Sequence, residues 1–186
     1  MKAYYRIDYK NYDSRSEFLA QNIKCIFISY QRLDKLKAKR IADYLISAGI
    51  AVYFDEYDDN LKLTYQESNP NRVTDALCQG INNSSHMIVL VSSKTLTSKW
   101  VPFEIGYGYD KTNLFVLCLK GIPQGSLPEY LRVSQVIREI YDLNQKVSYL
   151  TNISEQLLLE STSIKPYNSN YHPLKDTMDS IITEKY

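Results

Sequence analysis

A doubly wound α/β domain, five parallel strands in the order 2-1-3-4-5 with helices on both faces, is the fold class this sequence predicts, and three observations predict it. Short apolar runs alternate with helical periodicity from residue 24 to about 160, as in successive strand–helix–strand units. The runs are continuously apolar rather than alternating, as expected of parallel strands buried on both faces. The 186 residues also suffice for one full core with a few tens of residues to spare. Right-handed crossovers make 2-1-3-4-5 the simplest strand order.

Residues 1–23, rich in tyrosine and charge with a short helix expected over 14–22, form an N-terminal extension to the domain of residues 24–160. Cys25-Ile26-Phe27-Ile28-Ser29-Tyr30 reads as the first strand. The helix after it is expected to bury Leu33, Leu36, Ile41, Leu45 and Ile46, and Gly49 ends it. Ile50-Ala51-Val52-Tyr53-Phe54 is the second strand. A connection from Asp55 to about Pro70 follows, and uncommonly long connections of this kind are most often binding loops, lids or disordered segments.

Val73 to Asn82 is helical, Ser85 to Val91 is the third strand, and a helix opening near Trp100 runs to about Tyr109, with Pro102 in its first turn. Asn113 to Leu119 is the fourth strand, and Gln135 to Ile140 a shorter, more polar edge. From Asn144 the spacing of Val147, Leu150, Ile153, Leu157 and Leu158 is helical. The extension of residues 161–186 ends in an amphipathic helix opened by Pro173, with Leu174, Met178, Ile181 and Ile182 on a stripe suited to packing on the domain.

Lys and Arg number 22 against 21 Asp and Glu, a balance that predicts no general attraction to nucleic acid or to a membrane surface. No run approaches the ~18 apolar residues of a membrane span, and no leader pattern opens the chain. Cys25, Cys78 and Cys118 are dispersed and odd in number, which argues for packing in a reducing cytoplasm over a disulfide framework or a zinc site. Glycine-rich phosphate loops and metal-binding motifs are absent. Two histidines, His86 and His172, are too few and too scattered for a triad or metal centre.

On the predicted strand order the loop Ser29–Asp34 and the stretch Ser92–Glu104 converge at the carboxyl ends of strands one and three, with the Asp55–Pro70 loop beside them. Trp100 and Glu104, four residues apart, share one helix face there. Taken alone, such a pair is more often a core aromatic and a solvated charge than a site. Its position in the crevice makes Glu104 the strongest chemical candidate in the chain.

Ile26-Phe27-Ile28-Ser29-Tyr30 with Asp34, the turn Ser92–Lys99, and Trp100-x-x-x-Glu104 resemble the first-strand box and the Trp-x-x-x-Glu segment of Toll/interleukin-1 receptor (TIR) domains, in register over about residues 24–142. The resemblance implies a flavodoxin-like fold. For members that keep this Glu it implies cleavage of the nicotinamide–ribose bond of NAD⁺, bound as substrate, with no cofactor. Glu104 then stands as the catalytic carboxylate and Trp100 as the aromatic near the nicotinamide. Ser29, Tyr30 and Arg32 fall toward the pyrophosphate and adenosine, and Asp55 and Ser92 border the same cleft. The Asp55–Pro70 loop would join neighbouring protomers, although it lacks the Pro-Gly pair common in receptor and adaptor members.

With no second recognisable domain, the chain is similar to the stand-alone bacterial TIR proteins of Thoeris anti-phage defence, whose NAD-derived product activates a separate effector. Two other readings stay open: a non-enzymatic module assembling through the Asp55–Pro70 loop, and a relative of nucleoside deoxyribosyltransferases.

Overall fold

The computed structural model describes residues 24–55 and 69–180, apart from the side chain of Leu96. The expected N-terminal extension, most of the Asp55–Pro70 loop and the last two stripe residues, Ile181 and Ile182, lie outside these residues.

Five strands, β1 (Cys25–Ser29), β2 (Ala51–Tyr53), β3 (His86–Val91), β4 (Asn113–Cys118) and β5 (Gln135–Ile137), form one sheet in the order β2-β1-β3-β4-β5. Every pairing is parallel. The helices are α1 (Lys35–Ser47), α2 (Pro70–Asn82), α3 (Val101–Gly108), α4 (Glu129–Arg132), α5 (Ile140–Thr151) and α6 (Glu155–Glu160). This is the predicted doubly wound, flavodoxin-like topology.

The pleat explains the continuous apolar runs. Ile26, Ile28, Ile88, Leu90 and Leu117 point to the face covered by Ile41 and Leu45 of α1 and by Leu143 and Val147 of α5. Phe27, Met87, Val89 and Val116 point the other way, onto Val73, Leu77 and Ile81 of α2 and Val101 and Ile105 of α3. Both faces need apolar residues, so neither parity can be polar.

Three expectations are corrected. On the first helix, Leu33 and Leu36 are 70% and 76% exposed. Leu33 lies in a 3-10 turn, Arg32–Asp34, and α1 starts only at Lys35, so the buried stripe is set by Ala38, Ile41, Ala42 and Leu45. The helix expected across residues 147–158 is two helices. Asn152 takes a left-handed conformation (φ 56°) that ends α5, and Ser154 caps α6 by accepting from the Leu157 N–H.

The helix expected after Pro173 is a run of turns as far as the described residues go. Tertiary partners have claimed its backbone: the Thr177 carbonyl accepts from Lys120 N (2.8 Å) and the Asp179 carbonyl from Ile140 N (2.9 Å). Leu174 and Met178 nevertheless sit in the same core as β1 and α5. A polar cluster fastens this segment. Leu174 N donates to His172 Nδ1, His172 Nε2 meets the Tyr44 hydroxyl, and that hydroxyl donates to Asn144 Oδ1 at 2.6 Å.

The packing of α2 on the sheet depends on Gly80. A Cβ there would lie 2.7 Å from Tyr53 Cε1 and 3.1 Å from Phe27 Cε2, two buried rings stacked 5.1 Å apart. Neither ring can retreat, so Gly80→Ala is expected to destabilise the domain by about 1–3 kcal/mol. Thermal unfolding followed by circular dichroism should show a midpoint lowered by several degrees.

Candidate active site

The carboxyl ends of β1 and β3 present two short loops, and the residues in them are tied across the gap. Ser29 ends β1 with its side chain fully buried. Its hydroxyl donates to Glu104 Oε2 at 2.5 Å, joining residues 75 apart in sequence. Glu104 lies in the first turn of α3 and is only 6% exposed. That turn is placed by Ser98, whose Oγ accepts from the backbone N–H groups of Trp100 and Val101, and by Pro102 in the first turn, where no N–H is needed.

Burial raises the Glu104 pKa to about 8 from the usual 4.5. The Ser29 hydrogen bond works against that rise and the negative charge of Asp55 adds to it. At neutral pH the resting carboxyl therefore carries a proton.

The Tyr30 hydroxyl donates to Asp55 Oδ1 at 2.6 Å, and its ring stacks on Phe54. The Ser92 hydroxyl donates to the buried carboxylate of Asp34. Ser92 N donates to Thr95 Oγ1, which itself donates to the Leu90 carbonyl. The loop after β3 is thus fixed to the first turn after β1, beside the Ser29–Glu104 pair.

Six of the seven expected site residues are thereby accounted for by contacts at this edge of the sheet: Ser29 with Glu104, Tyr30 with Asp55, Ser92 with Asp34, and Trp100 as the residue on which α3 begins. The half-buried Trp100 ring packs edge-on against Phe103, 5.9 Å away, and Phe103 stacks on Tyr107. Arg32 is exposed in its 3-10 turn and belongs to none of the three polar pairs.

Sequence reasoning placed Asp34, Thr95 and Phe103 in the stretches that converge at the cleft but gave none of them a role there. Asp34 had a signal, an acid on the loop that faces Ser92. The hydroxyl of Thr95 folds back on its own turn, and nothing in its spacing marks it out. Among the described residues no cluster of His, Cys, Asp and Glu is suited to a metal ion. No helix among them is long and apolar enough to cross a membrane.

Comparison with known proteins agrees with this fold. A structure of a metazoan TIR-STING receptor from C. gigas in complex with 2',3'-cGAMP is 25% identical, with a TM-score of 0.50, over 68% of this chain and 38% of that one. A further structure of a metazoan TIR-STING receptor from C. gigas is 23% identical, with a TM-score of 0.51, over 69% of this chain and 40% of that one. The TIR domain of the Toll-related receptor TRR-2 from Hydra magnipapillata is 17% identical, with a TM-score of 0.50, over 68% of this chain and 92% of that one. The last two speak for the fold alone, and the chain spans about two-fifths of the length of the C. gigas receptors. No curated protein matches it. The family model for the TIR domain matches residues 26–158, which include the Ser29–Glu104 pair, all of β1 but its first residue and the other four strands, and the chain belongs to the TIR domain family.

Proposed function

We propose that this TIR domain is an enzyme that cleaves the nicotinamide–ribose bond of NAD⁺, with Glu104 as its catalytic carboxylate. The observation that carries the reading is the buried Ser29–Glu104 pair, a lone carboxyl held by one hydroxyl with its pKa raised. Nicotinamide is a neutral leaving group on a cationic ring, so its departure needs no general acid. What the reaction needs is a negative charge beneath the ribose as the C1′–N bond breaks and its electron pair goes to nicotinamide.

Glu104 is suited to that role once ionised. The pyridinium cation of the substrate favours the ionised form, and the Ser29 hydroxyl holds the resulting carboxylate in place. The carboxylate stabilises the oxocarbenium-like sugar in a site shielded from water, where such stabilisation is strongest. Trp100 and Phe103 offer an apolar wall to the nicotinamide. Water then attacks C1′ and gives up a proton, so that NAD⁺ and water yield ADP-ribose, nicotinamide and one H⁺. Attack by an atom of the same nucleotide yields a cyclic product instead.

The biological setting we propose is bacterial anti-phage defence of the Thoeris type: a cytoplasmic enzyme, assembled through TIR–TIR contacts, whose ADP-ribose-derived product activates a separate effector. The likeness of the Trp100-x-x-x-Glu104 segment to that of TIR members that keep this Glu supports that setting.

The decisive measurement is product analysis by mass spectrometry on the purified chain, over a range of protein concentrations, with NAD⁺ and with a panel of free nucleosides. Nicotinamide release from NAD⁺ is expected, rising with protein concentration if neighbouring protomers complete the site. Cleavage of nucleosides but not NAD⁺ would replace the proposal with the deoxyribosyltransferase reading. No turnover of either at any concentration would leave the interaction module.

A further inference from the structure

A hollow lies at the β5 edge of the sheet, two strands beyond β3 and the crevice of Glu104. It opens between the edge strand β5 and helix α5, is lined by Gln135, Val136, Asp142, Gln145, Lys146 and Tyr149 among others, and encloses about 580 Å³, within the range of small-molecule sites. All three residues of β5, Gln135 to Ile137, line it, so the hollow runs along the edge strand.

The Lys146 ammonium is the chemically unusual group here. It stands 4.9 Å over the face of Phe115 and 5.4 Å from the centre of the Tyr149 ring, and it donates to Gln135 Oε1 at 2.7 Å. Among the described residues it forms no ion pair, and Asp142, one turn earlier on α5, lines the same hollow. A lysine that merely drapes its stem over a core ring carries its charge out into water. This one is half-buried and displaced below the ordinary lysine pKa by burial alone, while its hydrogen bond to the neutral Gln135 amide stands exposed. Beside it Tyr149 offers a ring that is 73% exposed.

We propose that this hollow is a second ligand site, distinct from the Glu104 cleft, and that it takes a small aromatic phosphate of the nucleoside monophosphate class. The phosphate meets the Lys146 ammonium in a charge-assisted hydrogen bond. The base stacks on Tyr149. Asp142 on the rim is an acceptor suited to ribose hydroxyls, and its charge repels further phosphate groups, which favours a monophosphate over a di- or triphosphate. The inference does not depend on the enzymatic reading of Glu104.

Isothermal titration calorimetry of the full chain with AMP, adenosine, ATP and inorganic phosphate tests it. AMP is expected to bind more tightly than adenosine, phosphate or ATP. Lys146→Met, which keeps the stem over Phe115, should weaken AMP by about tenfold or more, while Lys146→Arg keeps most of the affinity. Tyr149→Ala, at an exposed position, should weaken AMP and leave inorganic phosphate unchanged. Three results overturn the proposal: no AMP binding up to about 10 mM; AMP binding unchanged in a Lys146→Met protein of native circular dichroism; or AMP binding lost in Trp100→Ala but kept in Lys146→Met, which would put the nucleotide in the Glu104 cleft.

Discussion

Glu104→Gln should abolish nicotinamide release and, in the same protein, raise resistance to unfolding above neutral pH. The first effect follows from removing the charge that faces the developing cation, a loss of at least about a hundredfold in kcat. The second follows from linkage. The folded state holds the Glu104 proton up to a pKa of about 8, whereas the ordinary value is 4.5. The native carboxyl binds its proton more tightly than the unfolded one, so the stability that Glu104 contributes is lost as pH rises from about 4.5 through about 8. The full difference is on the order of 5 kcal/mol.

Gln carries no proton to lose and keeps an oxygen for the Ser29 hydroxyl. Variant and wild type should therefore be similar near pH 5 and diverge by a few kcal/mol at pH 9 in urea unfolding. His86 and His172 act on the acid side. Burial lowers both to about 4 from 6.5, so their contribution is lost as pH falls from 6.5 toward 4. The wild type should be most stable near pH 6.5, and Glu104→Gln should remove the fall above that pH and steepen the rise below it. A variant that loses activity without gaining alkaline stability would mean that Glu104 is not the strained group described above.

The fold was legible because both parities of its strands are apolar. Runs such as Met87 to Val91 can be satisfied only between two helical layers, and the strand order follows from crossover handedness. Helix phase was less legible. Leu33 and Leu36 suggested a stripe, but a stripe is counted from the first helical residue, and the 3-10 turn at Arg32–Asp34 moved that origin. The end of the chain was misread for another reason. Its apolar spacing is real and Leu174 and Met178 are buried, yet burial was reached through turns whose carbonyls bond to Lys120 and Ile140. Periodicity reports which residues go inside and is silent on distant backbone partners.

At the site, the topology put Ser29 and Glu104 at one crevice, and the residue types named the chemistry. What spacing could not disclose was the direction of each side chain. Ser29 turns inward to the carboxylate and not toward open solvent, and Ser92 is spoken for by Asp34. Two residues expected to touch substrate directly thus hold other side chains in place, and their effect on catalysis passes through those partners.

That distinction sets the last expected result, a pair of opposite shifts in the pH profile of kcat/KM. If Glu104 must be ionised to act, kcat/KM climbs with pH through the free enzyme's carboxyl value of about 8. Ser29→Ala removes the hydrogen bond that holds this value down, so the climb moves to higher pH, and each unit of movement lowers kcat/KM at pH 7 by about tenfold. Asp55→Asn removes the charge that holds it up while leaving an oxygen for the Tyr30 hydroxyl, so the climb moves to lower pH and kcat/KM at pH 7 rises. A structural defect would lower the plateau in both variants without moving the climb. Movement of both in the same direction would show that neither neighbour acts through the charge of Glu104. Opposite movement, with equal plateaus at high pH, is the signature of one carboxyl tuned from two sides.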